Sequence, residues 1–132
     1  MYRPEGYGTV FPYIFVEDMD RFVDFLKAVF DAKELGRTVI PGRGVANCRI
    51  RIGTTSFMAS EGGEGFPPMP VAHYVYVENA DATFAKALAN GAKKVMDPAD
   101  MPYGDRQGGV VDPCGNTWWI STRMVKEGYD EE

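Results

Sequence analysis

The sequence predicts an α+β fold made of two tandem copies of one strand–helix–strands module. A strand-then-helix segment at 9–32 recurs at 72–93, where Tyr74 corresponds to Tyr13, 61 residues earlier. A repeat at a fixed distance identifies the unit from which a fold is built. Within each copy, apolar residues alternate where a strand is expected and recur every three or four residues where a helix is expected. A chain of 132 residues is long enough for one such domain and too short for two independent ones.

The first copy begins with an almost wholly apolar stretch, Thr9–Val16, which predicts a strand buried on both faces. Pro12 lies inside this stretch and requires a position without a ladder hydrogen bond from its nitrogen. Asp18 is placed to cap the following helix, because its carboxylate can accept hydrogen bonds from the free amides of the first turn. The helix is predicted by apolar residues spaced three and four apart, which are Phe22, Phe25, Leu26, Val29 and Phe30.

Three further strands complete the first copy. Glu34–Ile40 is predicted as the second strand, and the sequence PGRG at 41–44 supplies residues typical of a turn. In the third strand polar and apolar residues alternate, which predicts one polar face made of Asn47, Arg49 and Arg51. Gly53 marks a hairpin, after which Thr55–Ser60 forms the fourth strand.

The second copy follows a segment rich in glycine and proline at 61–70, which we interpret as a linker. Asn79 is placed to cap the second helix. Lys93–Met96 is predicted as a short strand and 97–105 as a loop, and a type I turn is predicted at 112–115. The last two strands are predicted at Gly108–Val111 and Thr117–Thr122. The single domain therefore spans 1–132, with module one at about 8–60, the linker at 61–70, module two at about 71–123 and an acidic tail at 124–132.

The composition is that of a soluble globular protein, with 45% apolar and 25% charged residues. The net charge of −5 and the lack of a lysine or arginine cluster argue against nucleic acid or an anionic membrane surface as a partner. No apolar run reaches the roughly 20 residues that a membrane span needs. The first residues lack a signal pattern, so a cytoplasmic location is expected. Cys48 and Cys114 lack metal-type spacing and are expected to be reduced thiols.

The stretch YGDRQGGVVDPCGNTWWIST at 103–122, taken with the tandem repeat, resembles the vicinal oxygen chelate superfamily of glyoxalases, extradiol dioxygenases and bleomycin-resistance proteins. The pattern YGDR…DPxGxxW is similar to that of the PhnB-like branch. The resemblance covers about 9–122 and implies tandem βαβββ modules, which form a curved mixed sheet around a cleft with the helices on the outside. It also implies a homodimer whose modules share or abut the clefts. Such a fold does not by itself assign a function, because it hosts many chemistries.

Metal-dependent members of this superfamily draw metal ligands from symmetric positions on the first and fourth strands of each module. Gly53 and Gly115, each four residues before a candidate position, guide the alignment. The resemblance then implies that the four metal-ligand positions are Phe11, Phe57, Ala72 and Trp119. None of these side chains can bind a metal. The only histidine, His73, is one residue from such a position and is expected to point to the opposite face, so we expect no metal and no cofactor.

Strand alternation predicts that one face of each first strand carries aromatic rings and the other carries aliphatic residues that pack under a helix. The residues in phase on the ring-bearing face are Phe11, Tyr13, Phe15, Tyr74 and Tyr76. We interpret Phe15 and Tyr76 as core residues. Because tyrosine hydroxyls need partners when they are buried, Tyr13 and Tyr74 are better candidates for contact with a ligand.

Other candidates come from the remaining strands. Arg49 and Arg51 are most simply interpreted as solvated charges, but on a cleft wall a guanidinium could hold a carboxylate or phosphate of a ligand. Trp119 is expected to face the cleft and Trp118 the helix side, because successive strand residues point to opposite faces. The predicted ligand-binding residues are Phe11, Tyr13, Arg49, Arg51, Phe57, Tyr74, Trp119 and Ser121.

The sequence favours a metal-independent protein that binds a small aromatic or planar molecule. Two alternatives remain open: a metal-dependent enzyme of the glyoxalase or dioxygenase type, and a module without a ligand that serves assembly alone. No catalytic residue is identified, because no nucleophile–base pair or paired-carboxylate signature is present. Asp105 and Arg106 are adjacent and so point in different directions; we interpret them as bracing the loop over the cleft.

Overall fold

The computed structural model describes residues 2–42 and 44–130, which form two helices and eight strands. Their bounds are β1 Tyr13–Val16, α1 Met19–Phe30, β2 Lys33–Ile40, β3 Gly44–Ile52, β4 Thr55–Glu61, β5 Ala72–Tyr76, α2 Ala80–Ala89, β6 Lys93–Asp100, β7 Asp105–Val111 and β8 Thr117–Arg123. The chain divides into two compact units, which we call unit 1 (Met1–Val71) and unit 2 (Ala72–Glu132). Each unit has the predicted order of strand, helix and three strands, so the α+β fold and the tandem βαβββ repeat are confirmed.

Unit 1 is a four-stranded mixed sheet with the strand order β1-β4-β3-β2, in which β1 runs parallel to β4 and the other pairs are antiparallel. Helix α1 packs on one face of this sheet through its apolar stripe. The stripe was predicted from sequence spacing, and its members are 0–7% exposed: Phe22, Phe25, Leu26, Val29 and Phe30. The unit therefore has one helix-covered face and one open face.

The start of α1 is held by two carboxylates. The Asp18 side chain accepts a hydrogen bond from the Arg21 amide at 3.2 Å, as expected for an N-cap. The two carboxylate oxygens of Glu61, at the end of β4, accept hydrogen bonds from the amides of Asp18 and Met19, each at 2.8 Å. A negative charge at this end of a helix is favourable, because unpaired amides point outward there.

Unit 2 repeats this arrangement with the strand order β5-β8-β7-β6 and a parallel β5–β8 pair. The Asn79 side chain caps α2 by accepting from the Ala82 amide at 3.0 Å. At the position equivalent to Glu61, Thr122 accepts a hydrogen bond from the Ala80 amide at 2.9 Å. In both units, therefore, a side chain of the fourth strand accepts a hydrogen bond from an amide at the start of the helix.

The predicted strand at Thr9–Val16 is too long and is not buried on both faces. Strand β1 begins only at Tyr13, and Val10 is 88% exposed. Pro12 lies just before the strand, where its carbonyl accepts a hydrogen bond from the Met58 amide at 3.1 Å. This contact does not require an N–H group, which proline lacks. The ladder on β1 is therefore limited to four residues.

The predicted loop at 97–105 is too long, because β6 continues to Asp100 and β7 begins at Asp105, which leaves only 101–104 outside the strands. Pro98 is tolerated inside β6 since β6 is an edge strand and its register with β7 is irregular between Met96 and Ala99. The prediction ended β6 too early because it treated Pro98 as the start of a loop.

The glycine- and proline-rich segment at 61–70 is structured against unit 1. Its first residue belongs to β4, and the amides of Gly62 and Met69 donate to carbonyls of β1 at 2.8 and 3.2 Å. The ring of Phe66 stacks on that of Phe15 at 5.5 Å. Gly42 and Gly44 of the predicted turn have positive φ angles, as expected, while Arg43 lies outside the described residues.

Cys48 and Cys114 are thiols, as predicted, and are not joined in a disulfide. Within residues 2–42 and 44–130, no helix is long and apolar enough to cross a membrane.

Candidate functional site

The open face of unit 1 carries the predicted alternation. Ile14 and Val16 are each 1% exposed on the helix-covered face, whereas Tyr13 is 48% exposed on the open face. Phe15 also lies on the open face, packed against Tyr13 with ring centroids 5.2 Å apart. Phe11 precedes β1, and its ring contacts that of Tyr7 at 4.9 Å. The phase predicted for β1 is therefore confirmed from Tyr13 onward.

Polar side chains on β3 and β4 support the Tyr13 ring. The Tyr13 hydroxyl shares a hydrogen bond with Ser60 Oγ at 2.7 Å and accepts one from the Asn47 amide at 3.3 Å. Arg49 donates to Asn47 Oδ1 at 2.9 Å, and Arg51 donates to Ser56 Oγ at 3.0 Å. Both guanidinium groups thus lie on the open face with polar neighbours of the same sheet. The same unit has a cleft of about 580 Å³, whose wall includes Tyr13, Phe15, Ser60, Glu61, Glu64 and Phe66.

The predicted ligand contacts Arg49 and Arg51 are not among the described residues that line this cleft.

Phe57 does not lie on the open face, which corrects its prediction as a cleft residue. Its side chain is 4% exposed, and it pairs with buried Ile50 on the helix-covered face. The residue opposite Tyr13 is Met58, just as Trp119 is opposite Tyr74. The prediction failed because it aligned two turn glycines that are 62 residues apart, whereas the strands repeat at 61. An error of one residue turns a strand side chain to the other face.

The open face of unit 2 carries Tyr74, Tyr76 and Trp119, which are at least partly exposed. The Trp119 ring lies over Gly109, where a Cβ atom would fall 2.5 Å from the ring, so glycine makes room for it. Trp118 is only 2% exposed and faces the helix side, as predicted.

His73 lies next to Trp118 on the helix side, with the two rings stacked at 4.5 Å. Its predicted orientation, away from the ring-bearing face, is confirmed. Burial lowers the pKa of His73 below its ordinary value, because the charged imidazolium is poorly solvated there.

The turn before β8 is organised by Asp112, which is 4% exposed. Its Oδ1 accepts hydrogen bonds from the amides of Cys114 and Asn116 at 2.8 and 3.0 Å. Its Oδ2 accepts one from Trp118 Nε1 at 2.8 Å. Burial raises the pKa of Asp112, and these hydrogen bonds act in the opposite direction by favouring the ionised form.

Asp105 is the centre of a polar cluster under the open face of unit 2. The carboxylate is 1% exposed, and its Oδ2 accepts hydrogen bonds from the hydroxyls of Tyr74, Tyr76 and Tyr129, the last two at 2.9 and 2.7 Å. Arg123 Nη1 donates to Oδ1 at 3.1 Å. Burial and the hydrogen bond to Asp105 raise the pKa of Tyr74, so its hydroxyl stays protonated and donates. Asp105 is therefore a strand residue that fixes three tyrosines, which differs from the predicted loop brace.

Arg106 points the other way, as its adjacency to Asp105 predicted. It makes two hydrogen bonds to the Asp81 carboxylate of α2, at 2.9 and 3.0 Å, and one to Asp100 of β6 at 3.3 Å. It thus braces the helix to an edge strand.

Next to Asp105, Gln107 donates to Ser121 Oγ at 2.9 Å and accepts a hydrogen bond from the Tyr103 hydroxyl. Ser121, a predicted ligand contact, lies on the open side of β8 but is fully buried beneath this network. Above it is an open cleft of about 440 Å³, which we call the tyrosine cleft; it is lined by Tyr74, Tyr76, Tyr103 and Tyr129.

Sequence reasoning named only Tyr74 among these four as a ligand contact. Tyr103 and Asp105 belong to the YGDR motif. The predicted strand began at Gly108, whereas β7 begins at Asp105. With that longer strand, alternation places Asp105 and Gln107 on the same face, which is the open one. Nothing local in the sequence indicated Tyr129.

The donor set does not fit a metal. With Met58 in place of Phe57, the positions equivalent to the superfamily's metal ligands are Phe11, Met58, Ala72 and Trp119. Three of these side chains have no donor atom for a metal, and the thioether of Met58 accepts a hydrogen bond from Asn47 at 3.5 Å. Among the described residues, no three His, Cys, Asp or Glu side chains are grouped so that they could hold a metal ion.

Comparison with known proteins gives matches along most of the chain. The family model described as the Glyoxalase/Bleomycin resistance protein/Dioxygenase superfamily matches residues 8–120. An uncharacterized protein of Mycobacterium bovis is 32% identical over 131 residues, covering 91% of this chain and 86% of that protein.

Solved structures are similar as well. The structure of TioX from Micromonospora sp. ML1 is 27% identical, with a TM-score of 0.72 and coverage of 85% of this chain and 95% of TioX. A gene product from Arabidopsis thaliana is 26% identical with a TM-score of 0.71, covering 87% of this chain and 98% of that one. A Bacillus cereus PhnB protein shares the fold at 18% identity, with a TM-score of 0.69 and coverage of 87% and 99%.

Proposed function

Because the chain belongs to the Glyoxalase/Bleomycin resistance protein/Dioxygenase superfamily, we propose that it binds a small aromatic or planar molecule without a metal. The observation that carries this proposal is the substitution at the superfamily's metal-ligand positions, where rings, a methyl group and a thioether stand in place of metal donors. Lewis-acid chemistry of the kind that metal-dependent relatives use has no ligand set here.

The open faces of the two units have the composition of small-molecule sites. Such sites combine aromatic walls with a few placed polar groups. In unit 1 the rings of Tyr13 and Phe15 line a cleft, and Asn47 links the Tyr13 hydroxyl to the guanidinium of Arg49 through hydrogen bonds. In unit 2 the ring of Trp119 lies beside Tyr74. A planar ligand would stack on these rings, and a guanidinium of unit 1 would hold a carboxylate or phosphate on the ligand.

Elemental analysis tests the metal-independent part of the proposal. Protein purified without chelator should carry well under one equivalent of zinc, nickel, iron, manganese or cobalt. Near-stoichiometric metal that is lost in His73→Ala would overturn the proposal and favour an enzyme of the glyoxalase or dioxygenase type.

A fluorescence titration tests the ligand site. A planar ligand found by screening should quench the emission of Trp119, and Trp119→Ala should weaken binding several-fold, because ring stacking contributes about 0.5–1.5 kcal/mol. The matched control is Trp118→Phe, in which the changed ring lies on the helix side and the affinity should stay the same. The opposite pattern would show that the ligand binds on the helix side.

We further propose that the protein is a cytoplasmic homodimer. Two cysteines that are not joined in a disulfide suit a reducing compartment. Closed two-fold dimers are also the commonest oligomers on general grounds. Light scattering should give twice the chain mass of 14.6 kDa. A monomer mass across micromolar concentrations would contradict the dimer.

A further inference from the structure

We propose that the tyrosine cleft binds an organic cation, of which a trimethylammonium group is the simplest form. This inference goes beyond the proposed planar ligand, because it concerns a second class of small molecule, for which the tyrosine cleft of unit 2 is the site. The cleft is lined by four tyrosines that are 40–56% exposed, Tyr74, Tyr76, Tyr103 and Tyr129. Aromatic rings that converge on one cleft are the general means by which proteins recognise quaternary ammonium groups.

The hydroxyl groups of these tyrosines are directed away from any ligand. Three of them donate to Asp105 Oδ2, and the hydroxyl of Tyr103 donates to Gln107. The surface left for a ligand is therefore the carbon rings. A trimethylammonium group needs no hydrogen-bond partner, so this surface suits it better than it suits a polar neutral molecule.

The electrostatics of the cleft favour positive charge. The face of an aromatic ring carries partial negative charge. A hydroxyl that donates to a carboxylate pushes electron density into its ring, and Asp105 receives three such hydroxyls while it is 1% exposed. The cluster already contains one cation–ring contact, since the Arg123 guanidinium lies 4.6 Å from the centre of the Tyr129 ring.

The same arrangement disfavours an anion. The donor groups of Arg123 are used on Asp105 and on the carbonyls of Tyr103 and Glu127. Among the described residues only tyrosines line the cleft, so an anionic ligand would meet ring faces there and no available cation. A neutral planar ligand would stack there but would gain less than a cation from the partial negative charge of the ring faces.

Tyr129 makes this cleft depend on the C-terminal segment. Arg123 donates through Nε and Nη2 to the Glu127 carbonyl, at 3.1 and 2.6 Å, which turns the chain back toward β5. Tyr129 then donates to Asp105 at 2.7 Å. Tyr129 lies after β8, outside the eight strands, so replacing it removes one wall of the cleft without changing a residue of the sheet.

The experiment is an NMR titration of the whole protein with choline and, separately, with its neutral isostere, in which a tert-butyl group replaces the trimethylammonium group. We expect choline to shift the ring resonances of the four tyrosines and to bind about tenfold more tightly than the isostere, within the range of cation–ring interactions. Tyr129→Leu and Tyr103→Leu should each weaken choline binding several-fold. The matched control is Tyr2→Leu, which changes a tyrosine that is 85% exposed elsewhere in the chain.

Equal binding of choline and the isostere, absence of choline binding, or choline binding that Tyr129→Leu and Tyr103→Leu leave unchanged would each overturn the inference. Circular dichroism of the variants confirms that they are folded. The titration of Trp119 with a planar ligand is read separately. If that ligand binds and choline does not, only the choice of ligand class fails; if neither binds, the proposed function fails as well.

Discussion

The substitution Trp118→Phe tests the link between the helix-side face of unit 2 and the turn before β8. In the native protein Trp118 is 2% exposed, donates to Asp112 Oδ2 at 2.8 Å and stacks on His73 at 4.5 Å. Phenylalanine keeps most of the apolar contact but has no N–H group. The buried carboxylate of Asp112 then loses the hydrogen bond that Trp118 donates, while those from the amides of Cys114 and Asn116 remain.

The expected loss follows from these contacts. A buried hydrogen bond to a charged group contributes about 1.5–3 kcal/mol, and poorer ring stacking adds about 0.5–1 kcal/mol. We therefore expect Trp118→Phe to lower the free energy of unfolding by roughly 2–4 kcal/mol. Urea unfolding followed by Trp119 emission and by circular dichroism measures this, since Trp119 remains as a reporter of unit 2.

The loss should also depend on pH. Burial raises the pKa of Asp112, so ionisation of this group opposes folding as the pH rises through the ordinary value of about 3.9. The Trp118 N–H group offsets part of that effect, because it favours the ionised form. The deficit of Trp118→Phe should therefore be larger at pH 7 than at pH 4.

A double-mutant cycle with Asp112→Asn isolates the contact, and its coupling free energy should be at least about 1.5 kcal/mol. A loss of less than about 1 kcal/mol at pH 7, or a coupling near zero, would refute the assignment of this hydrogen bond as a stabilising contact.

Two further predictions concern stability. Burial lowers the pKa of His73, so the unfolded chain binds the proton more readily and stability should fall as the pH drops below about 6.5. In urea titrations between pH 7 and 5, His73→Leu should show a flatter profile than the native protein, and an equally steep profile would contradict this. Glu61→Gln removes the charge that accepts from two amides at the start of α1, and should lower the free energy of unfolding of unit 1 by about 1 kcal/mol. Urea unfolding followed by circular dichroism measures this loss, with Glu64→Gln as the matched control. Equal losses in the two variants would contradict the role of Glu61 in capping α1.

The three tyrosine contacts of Asp105 could not be predicted from the sequence. Its partners Tyr74, Tyr76 and Tyr129 come from β5 and from the C-terminal segment, 24 to 31 residues away in the chain. Each partner is an ordinary tyrosine in the sequence. Only the parallel pairing of β5 with β8, and the return of the chain at Arg123, bring them to one carboxylate.

What the sequence determined by itself is local or repeated. The repeat at 61 residues predicted two equal modules, and residue spacing predicted both helices and their caps. Alternation within a strand fixed the opposite faces of Trp118 and Trp119. These features follow from the geometry of a single helix or strand, which the residues of that segment express directly.

The tertiary structure decided what depends on pairing between segments. Phe57 and Met58 are adjacent and both apolar, so composition could not tell which of them faces Tyr13; the register of β1 against β4 selects Met58. Pro98 was predicted to lie in a loop, yet it lies within β6, because β6 is at the edge of the sheet and tolerates a residue without an N–H group. The physical reason is the same in both cases: the face and length of a strand are set by hydrogen bonds to a neighbouring strand, and that neighbour is chosen only when the chain folds.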